Sequence, residues 1–187
     1  VAVVGVNAPP AAAAPPFDCT TVYSEKGQTA PFDIRRVNTT TGALTTAGAF
    51  AAAGGILNGL GFTGDGRAAY SVRYLASGAN AGLAIYRWDA ATETTSTPLS
   101  GQSSVFNSTP THGAVNPRTG IYYFAGVIPN TTNMAIYGYD PASNSFLGQV
   151  AQSTASAARA GPTATSPSTV PGGPTCRSAP RRRAGSS

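Results

Sequence analysis

One histidine, two cysteines and seven acidic residues in 187 positions leave little with which to build a catalytic centre. The lone imidazole, His112, excludes any metal site that needs two or three of them. No G-x-S-x-G nucleophile motif is present, and no Cys–His pair has a supporting context. A D-x-[DN]-x-[DN]-G calcium loop is missing as well. Gly59-Leu60-Gly61 is too short, and has no strand–helix setting, to cradle a phosphate. Charged residues make up 10% of the chain, against roughly a quarter in an ordinary soluble protein. Apolar runs stay short, far below the ~20 residues of a membrane-spanning helix. The expectation is a non-enzymatic chain with no catalytic residues, no metal site and no cofactor.

What the chain does hold is turn chemistry. Its 22 glycines and 15 prolines suit a turn-rich β protein or one with unstructured flanks, and Thr, Ser and Asn supply the polarity that charge does not. The net charge of +5 is unevenly placed. Lys26, Arg35, Arg36, Arg67, Arg73, Arg87 and Arg118 balance seven acids before residue 150: Asp18, Glu25, Asp33, Asp65, Asp89, Glu93 and Asp140. The whole excess comes from Arg159, Arg177, Arg181, Arg182 and Arg183. A basic tail attracts polyanions without specificity, and the body carries no basic stripe with interleaved aromatics. No specific nucleic-acid partner is expected.

Residues 1–16 run from an apolar start into prolines and alanines, the form of a signal-peptide end or of a disordered leader. A secreted or cell-surface location follows from the first reading. Cys19 and Cys176 permit one disulfide in an oxidising compartment. Cys176 lies in a segment foreign to the rest, which leaves Cys19 without an expected partner.

Three segments share one pattern. They begin at Ile34, Ile85 and Ile136, spaced 51 and 51 residues apart. Each alternates like a half-buried strand and ends at Asn38, Asp89 or Asp140, followed by Thr or Ser. A short polar side chain that bonds nearby backbone explains each of these positions as a turn. A following strand is expected at 43–47, 94–99 and 145–150. A second motif precedes two of the segments. Asn58-Gly59-Leu60-Gly61-Phe62 leads through Asp65-Gly66 to Ala69–Val72, and His112-Gly113-Ala114-Val115 leads through Thr119-Gly120 to Tyr122–Ala125. Glycine supplies positive φ at such hairpin turns. Thr21-Val22-Tyr23-Ser24 matches the strand after that hairpin, so the first unit is entered part-way.

One unit is therefore about 50 residues and four short strands, the content of a propeller blade. The competing reading is a single β-sandwich. The fold class expected is all-β: a partial, open β-propeller of about 51-residue four-stranded blades at 17–150, with disordered segments at 1–16 and 151–187. The motifs Asn58-Gly59-Leu60-Gly61-Phe62 with Asp65-Gly66 and Ala69-Tyr70, and Ile85-Tyr86-Arg87-Trp88-Asp89, resemble secreted propeller-like repeat proteins of high-GC Gram-positive bacteria. That resemblance covers about 17–150 and implies architecture and location more than activity. It also implies that further blades or a second copy complete the ring.

After Val150 the chemistry changes. All sixteen aromatic residues precede it, and Val170 is the one large aliphatic residue that follows. Such a segment buries too little apolar surface to offset its ordering entropy. Two readings stand: a Ser/Pro/Thr/Arg-rich disordered linker, or translation in a shifted frame. In that frame the codons around Thr163 can read Asn-Gly-Asp-Leu-Ala-Phe-Asp-Gly, with its Asn-Gly 51 residues after His112-Gly113.

Candidate site residues are weighed against plainer roles. His112 aligns with Asn58 and reads as a hairpin-positioning residue. Asp65, Asp89 and Asp140 read as turn residues, and no two acids mark a catalytic pair. Tyr86, Trp88, Tyr122, Tyr123, Tyr137 and Tyr139 read as core between sheets before they read as a sugar-binding face. Three Asn-x-Thr/Ser sequons, at Asn38, Asn107 and Asn130, carry little information here. Loops at 101–110 and 128–133 are where a ligand site is expected. The functional expectation is a binding or structural module for an unknown extracellular ligand or glycan; the alternative is the remnant of a glycan-acting propeller enzyme.

Overall fold

The computed structural model describes residues 17–52 and 55–153. The expected leader at 1–16 lies outside them. So does the tail from 154 onward, with Cys176 and the arginines at 181–183. The described residues form eleven strands and no helix. In chain order these are β1 (Val22–Glu25), β2 (Phe32–Val37), β3 (Leu44–Phe50), β4 (Asn58–Phe62), β5 (Ala68–Leu75) and β6 (Gly82–Asp89). There follow β7 (Thr94–Gln102), β8 (His112–Val115), β9 (Tyr122–Val127), β10 (Met134–Asp140) and β11 (Ser145–Gln152).

They make three antiparallel meanders: β1-β2-β3, β4-β5-β6-β7 and β8-β9-β10-β11. The connections after β2, β6, β8 and β10 are local turns of the expected chemistry. Asn38 Oδ1 accepts from the N–H groups of Thr40 and Thr41 at 2.9 and 3.0 Å. Asp89 Oδ1 does the same for Ala91 and Thr92, and Asp140 Oδ1 for Ala142. Asn116 repeats the device before Thr119-Gly120. In these turns the carboxylate or amide stands in for a backbone acceptor, so the chain reverses without leaving amide donors unpaired.

Register places Ile34, Ile85 and Ile136 at matching positions on the second-to-last strand of each sheet. Their neighbours on the preceding strand are Glu25, Val72 and Ala125. Alternation along a strand then gives each sheet two faces. In the second sheet one face carries Tyr70, Val72, Leu83 and Ile85, and the other carries Ala69, Ser71, Ala84, Tyr86 and Trp88. The first face packs against Tyr122, Phe124, Ala135, Tyr137 and Tyr139 of the third sheet to form one core. The second packs against Phe32, Ile34 and Phe50 of the first sheet to form another. The rule is the same at both junctions: the Ile-bearing face of one sheet meets the aromatic face of the next. That succession is propeller-like. A two-layer sandwich has one core, not two cores stacked in chain order.

Ile34 and Ile85 are fully buried, whereas Ile136 is half-buried. Its face of the third sheet, with Tyr123 and Val127 beside it, has no neighbouring sheet among the described residues. Of the six aromatic residues weighed as core, Tyr86, Trp88, Tyr122, Tyr137 and Tyr139 are buried, and Tyr123 lies on the uncovered face. Burying each such ring contributes roughly 1.5–3 kcal/mol. Close approach between sheets depends on glycine: a Cβ on Gly48 would sit 2.8 Å from the Trp88 ring.

Two expectations need correction. The last strand of each sheet is longer than read from sequence, reaching Phe50, Gln102 and Gln152 instead of Ala47, Leu99 and Val150. The ends of β7 and β11 are largely exposed and carry no apolar alternation, whereas β3 runs on through Gly48 and Ala49 to the buried Phe50. Cys19 is not an unpaired thiol but disulfide-bonded, and no free cysteine occurs among the described residues. The 101–110 loop, one of the two expected ligand loops, exposes Gly101, Ser103, Val105, Asn107 and Ser108 and is anchored from within. Phe106 and Pro110 are buried, Val105 N–H donates to Tyr137 Oη at 3.0 Å, and Thr109 Oγ1 donates to the Ile56 carbonyl at 3.1 Å.

Candidate functional site

The second and third sheets meet tightly at their first strands. Gly59 has φ +78°, and a Cβ on Gly113 would fall 1.6 Å from the Gly59 carbonyl oxygen. Only glycine lets β4 and β8 lie this close. Tyr122, fully buried, donates its hydroxyl to the same Gly59 carbonyl and locks β9 beneath the crossing.

Among the described residues the first sheet has no strand in the position that β4 and β8 occupy in the others. A cleft of about 390 Å³ opens there. Tyr23, Ser24 and Glu25 of β1 form one wall, and Asn58, Leu60 and Phe62 of β4 form the other. Thr111, His112 and Gly113 close one end. Its apolar floor is continuous with the core, since the Tyr23 and Phe62 rings lie 4.9 Å apart and Phe17 touches both.

Glu25 is the unusual group. Ser71, with no exposure at all, lies between it and β4. Ser71 Oγ is 2.8 Å from Glu25 Oε1 and 2.7 Å from the Asn58 carbonyl oxygen. A hydroxyl has one hydrogen, so it cannot donate to two acceptors. The geometry is satisfied when Glu25 holds a proton: the acid donates to Ser71, and Ser71 donates to Asn58. Glu25 Oε2 is buried and has no hydrogen-bond partner among the described residues, which a neutral acid tolerates far better than a carboxylate. Burial raises the Glu25 carboxyl from 4.5 to about 7, against a smaller downward pull from the Ser71 hydrogen bond. The same burial, with the negative charge of Glu25 nearby, holds the Tyr122 phenol well above its ordinary value.

His112 begins β8, as expected, and its Nδ1 lies 2.9 Å from Thr111 Oγ1. It is exposed and stands at the end of the cleft. Asp65, Asp89 and Asp140 occupy turns away from it. No group of three or more His, Cys, Asp or Glu side chains suited to a metal ion occurs among the described residues. Among those residues, too, no helix is long and apolar enough to cross a membrane. Sequence reasoning did not single out Glu25 or Ser71, and read Asn58 only as part of the repeated hairpin motif. Glu25 pairs with Ile34 at the position that Val72 and Ala125 hold in the other sheets. An acid at an apolar register position was the available signal.

Neither a protein-family model nor a curated protein matches this chain. Solved structures similar to it include TolB from Acinetobacter baumannii, at 19% identity and a TM-score of 0.39, over 67% of this chain and 28% of that one. Another is a gluconolactonase from Xanthomonas campestris described as important in glucose secondary metabolic pathways. It is 15% identical with a TM-score of 0.33, over 64% of this chain and 34% of that one. The chain thus spans about a third or less of either structure.

Proposed function

We propose that this chain is a non-enzymatic binding module, and that its ligand occupies the cleft between β1, β4 and β8. The observation that carries the reading is the convergence of three strands on one mixed surface. Phenyl and phenol rings supply an apolar floor, and Ser24, Asn58, Thr111 and His112 supply hydrogen-bonding groups around it. Of the residues that line the cleft, Glu25 alone is a carboxyl, so paired-carboxylate hydrolysis has no second partner there. The Cys19 disulfide fits an oxidising compartment, which supports an extracytoplasmic location. The resemblance to secreted propeller-like proteins of high-GC Gram-positive bacteria is in keeping with that location.

One observation favours a second reading. A buried acid that keeps its proton near neutrality is what a general acid requires, and Glu25 has that character. On this reading the chain is part of a propeller enzyme acting on glycans. A panel of glycans and peptides, screened for binding and then for turnover, separates the two. Saturable binding that is lost in Asn58→Trp, without product, supports the module. Released product that is lost in Glu25→Gln supports the enzyme and overturns it.

A further inference from the structure

We propose that the outer face of the third sheet is a dimer interface: a second copy of this chain packs its own third sheet against it, with β11 of each copy over β8 of the other. Such pairing is independent of any ligand in the cleft.

The face is apolar and open. Val127 of β9 and Leu147 and Val150 of β11 are 54, 43 and 45% exposed. Alternation puts Val127 on the side that carries Tyr123 and Ile136. Leu147 and Val150 share that side, because a Cβ on Gly138 would lie 3.1 Å from one and 3.4 Å from the other. Asp140, at the end of β10, is the one Asp, Glu, Lys or Arg in the four strands, and its carboxylate is engaged in the following turn. A contiguous apolar patch of this kind marks an interaction surface. Without charge, it has nothing to repel its own copy.

The opposite end of the stack does not suit this face. At both junctions the covering face presents rings, Tyr86 with Trp88 or Tyr137 with Tyr139, where the first sheet holds Arg35 and Val37. Head-to-tail stacking would carry the Arg35–Asp33 ion pair, 2.9 Å long, into an apolar junction at a desolvation cost. A face-to-face pair avoids that cost, and the relief of the face sets its symmetry. A hollow of about 160 Å³ lies toward β8, among Ala114, Tyr123, Ala125 and Ile136. Leu147 and Val150 project from β11, at the other margin. A two-fold axis parallel to the strands, between β9 and β10, sets each margin over its opposite. Register agrees, since Leu147 stands beside Gly138, and Gly138, Tyr123 and Ala114 form one row across β10, β9 and β8. Leu147 of each copy then meets Ala114 of the other, with the two sheets aligned as in a sandwich. A face four strands wide measures roughly 15–20 Å on a side, the footprint of a weak, transient dimer.

Sedimentation velocity of the full chain, from about 5 to about 500 µM, should show a reversible monomer–dimer equilibrium that goes no further. Leu147→Asp, checked for an unchanged far-UV spectrum, should weaken association about tenfold or more. Val22→Asp, on the outer face of the first sheet, should leave association unchanged. An isotope-filtered Overhauser spectrum of mixed labelled and unlabelled chains should connect the Leu147 methyls to the Ala114 methyl. Within one chain three strand spacings, roughly 14 Å, keep those groups apart. A chain that stays monomeric over the whole range overturns the proposal, and cross-peaks from Leu147 to Val170 in that monomer would assign the face to the chain's own tail. Association that survives Leu147→Asp overturns it too, and its loss in Val22→Asp would mean head-to-tail stacking. Leu147–Leu147 cross-peaks in place of Leu147–Ala114 would refute the arrangement by setting β11 over β11.

Discussion

Glu25→Gln tests the hydrogen-bond chain from Glu25 through Ser71 to Asn58. In the folded chain the Glu25 carboxyl sits at about 7, against 4.5 for an exposed group. Below 4.5 the acid is neutral in both folded and unfolded states. Between 4.5 and about 7 the folded state holds a proton that the unfolded state has released. Stability from this group is therefore complete below 4.5 and declines as pH rises through about 7. At about 1.4 kcal/mol per pH unit the full loss is about 3 kcal/mol. Glutamine copies the neutral acid, because its amide N–H can donate to Ser71 Oγ while Ser71 continues to donate to Asn58. Urea unfolding followed by circular dichroism at pH 4.5 and pH 8 reads the effect. The native chain should lose about 3 kcal/mol more than Glu25→Gln across that interval. At pH 8 the variant should be the more stable protein. His112 and the exposed carboxylates are common to both and cancel in the difference. Equal losses in the two proteins, or a variant less stable at pH 8, would refute the assignment of the proton to Glu25.

Other substitutions address the sheet junctions. Gly113→Ala places a methyl group against the backbone oxygen of Gly59, which cannot swing aside, and should cost about 3 kcal/mol or more in urea unfolding. Tyr122→Phe leaves the Gly59 carbonyl without its buried donor and should cost about 1–3 kcal/mol by the same assay. Trp88→Ala empties the core between the first and second sheets, where Phe17 and Gly48 rest on the indole, and should cost about 3–5 kcal/mol. A smaller effect from Trp88→Ala than from Tyr122→Phe would reverse the ranking of core packing over a single hydrogen bond.

Much of the fold was legible because its signals are local. Asn38, Asp89 and Asp140 each announce a turn through bonds to amides two or three residues on. Alternation in Phe32–Arg35 marks β2 as a strand with one buried face, and the near-continuous apolar run in Gly82–Asp89 marks β6 as a strand buried on both. Constant spacing of the three isoleucines then orders the sheets. The ends of β7 and β11 were not legible, since exposed edge strands need no apolar period; that of β3 was hidden because Gly48 and Ala49 break the pattern before the buried Phe50. Nor was the burial of Phe106, because an aromatic in a Ser/Asn-rich loop gives no hint of which core it reaches. The cleft was the hardest to see. It arises where β1, among the described residues, has a strand on one side alone, and Ser71 becomes informative only when β5 brings it against Glu25, 46 residues earlier in the chain. A local pattern cannot report a contact of that range.

Three sheets stack in chain order, with the Ile-bearing faces of the first and second on the aromatic faces of the second and third. A nuclear Overhauser spectrum of the isotopically labelled protein tests this directly. It should show cross-peaks from the Gly48 α-protons to the Trp88 indole, joining the first and second sheets, and from Gly61 to Ala114, joining the second and third. Cross-peaks from Ile34 to Ile136 or Tyr123 in their place would mean a two-layer sandwich, and would contradict it.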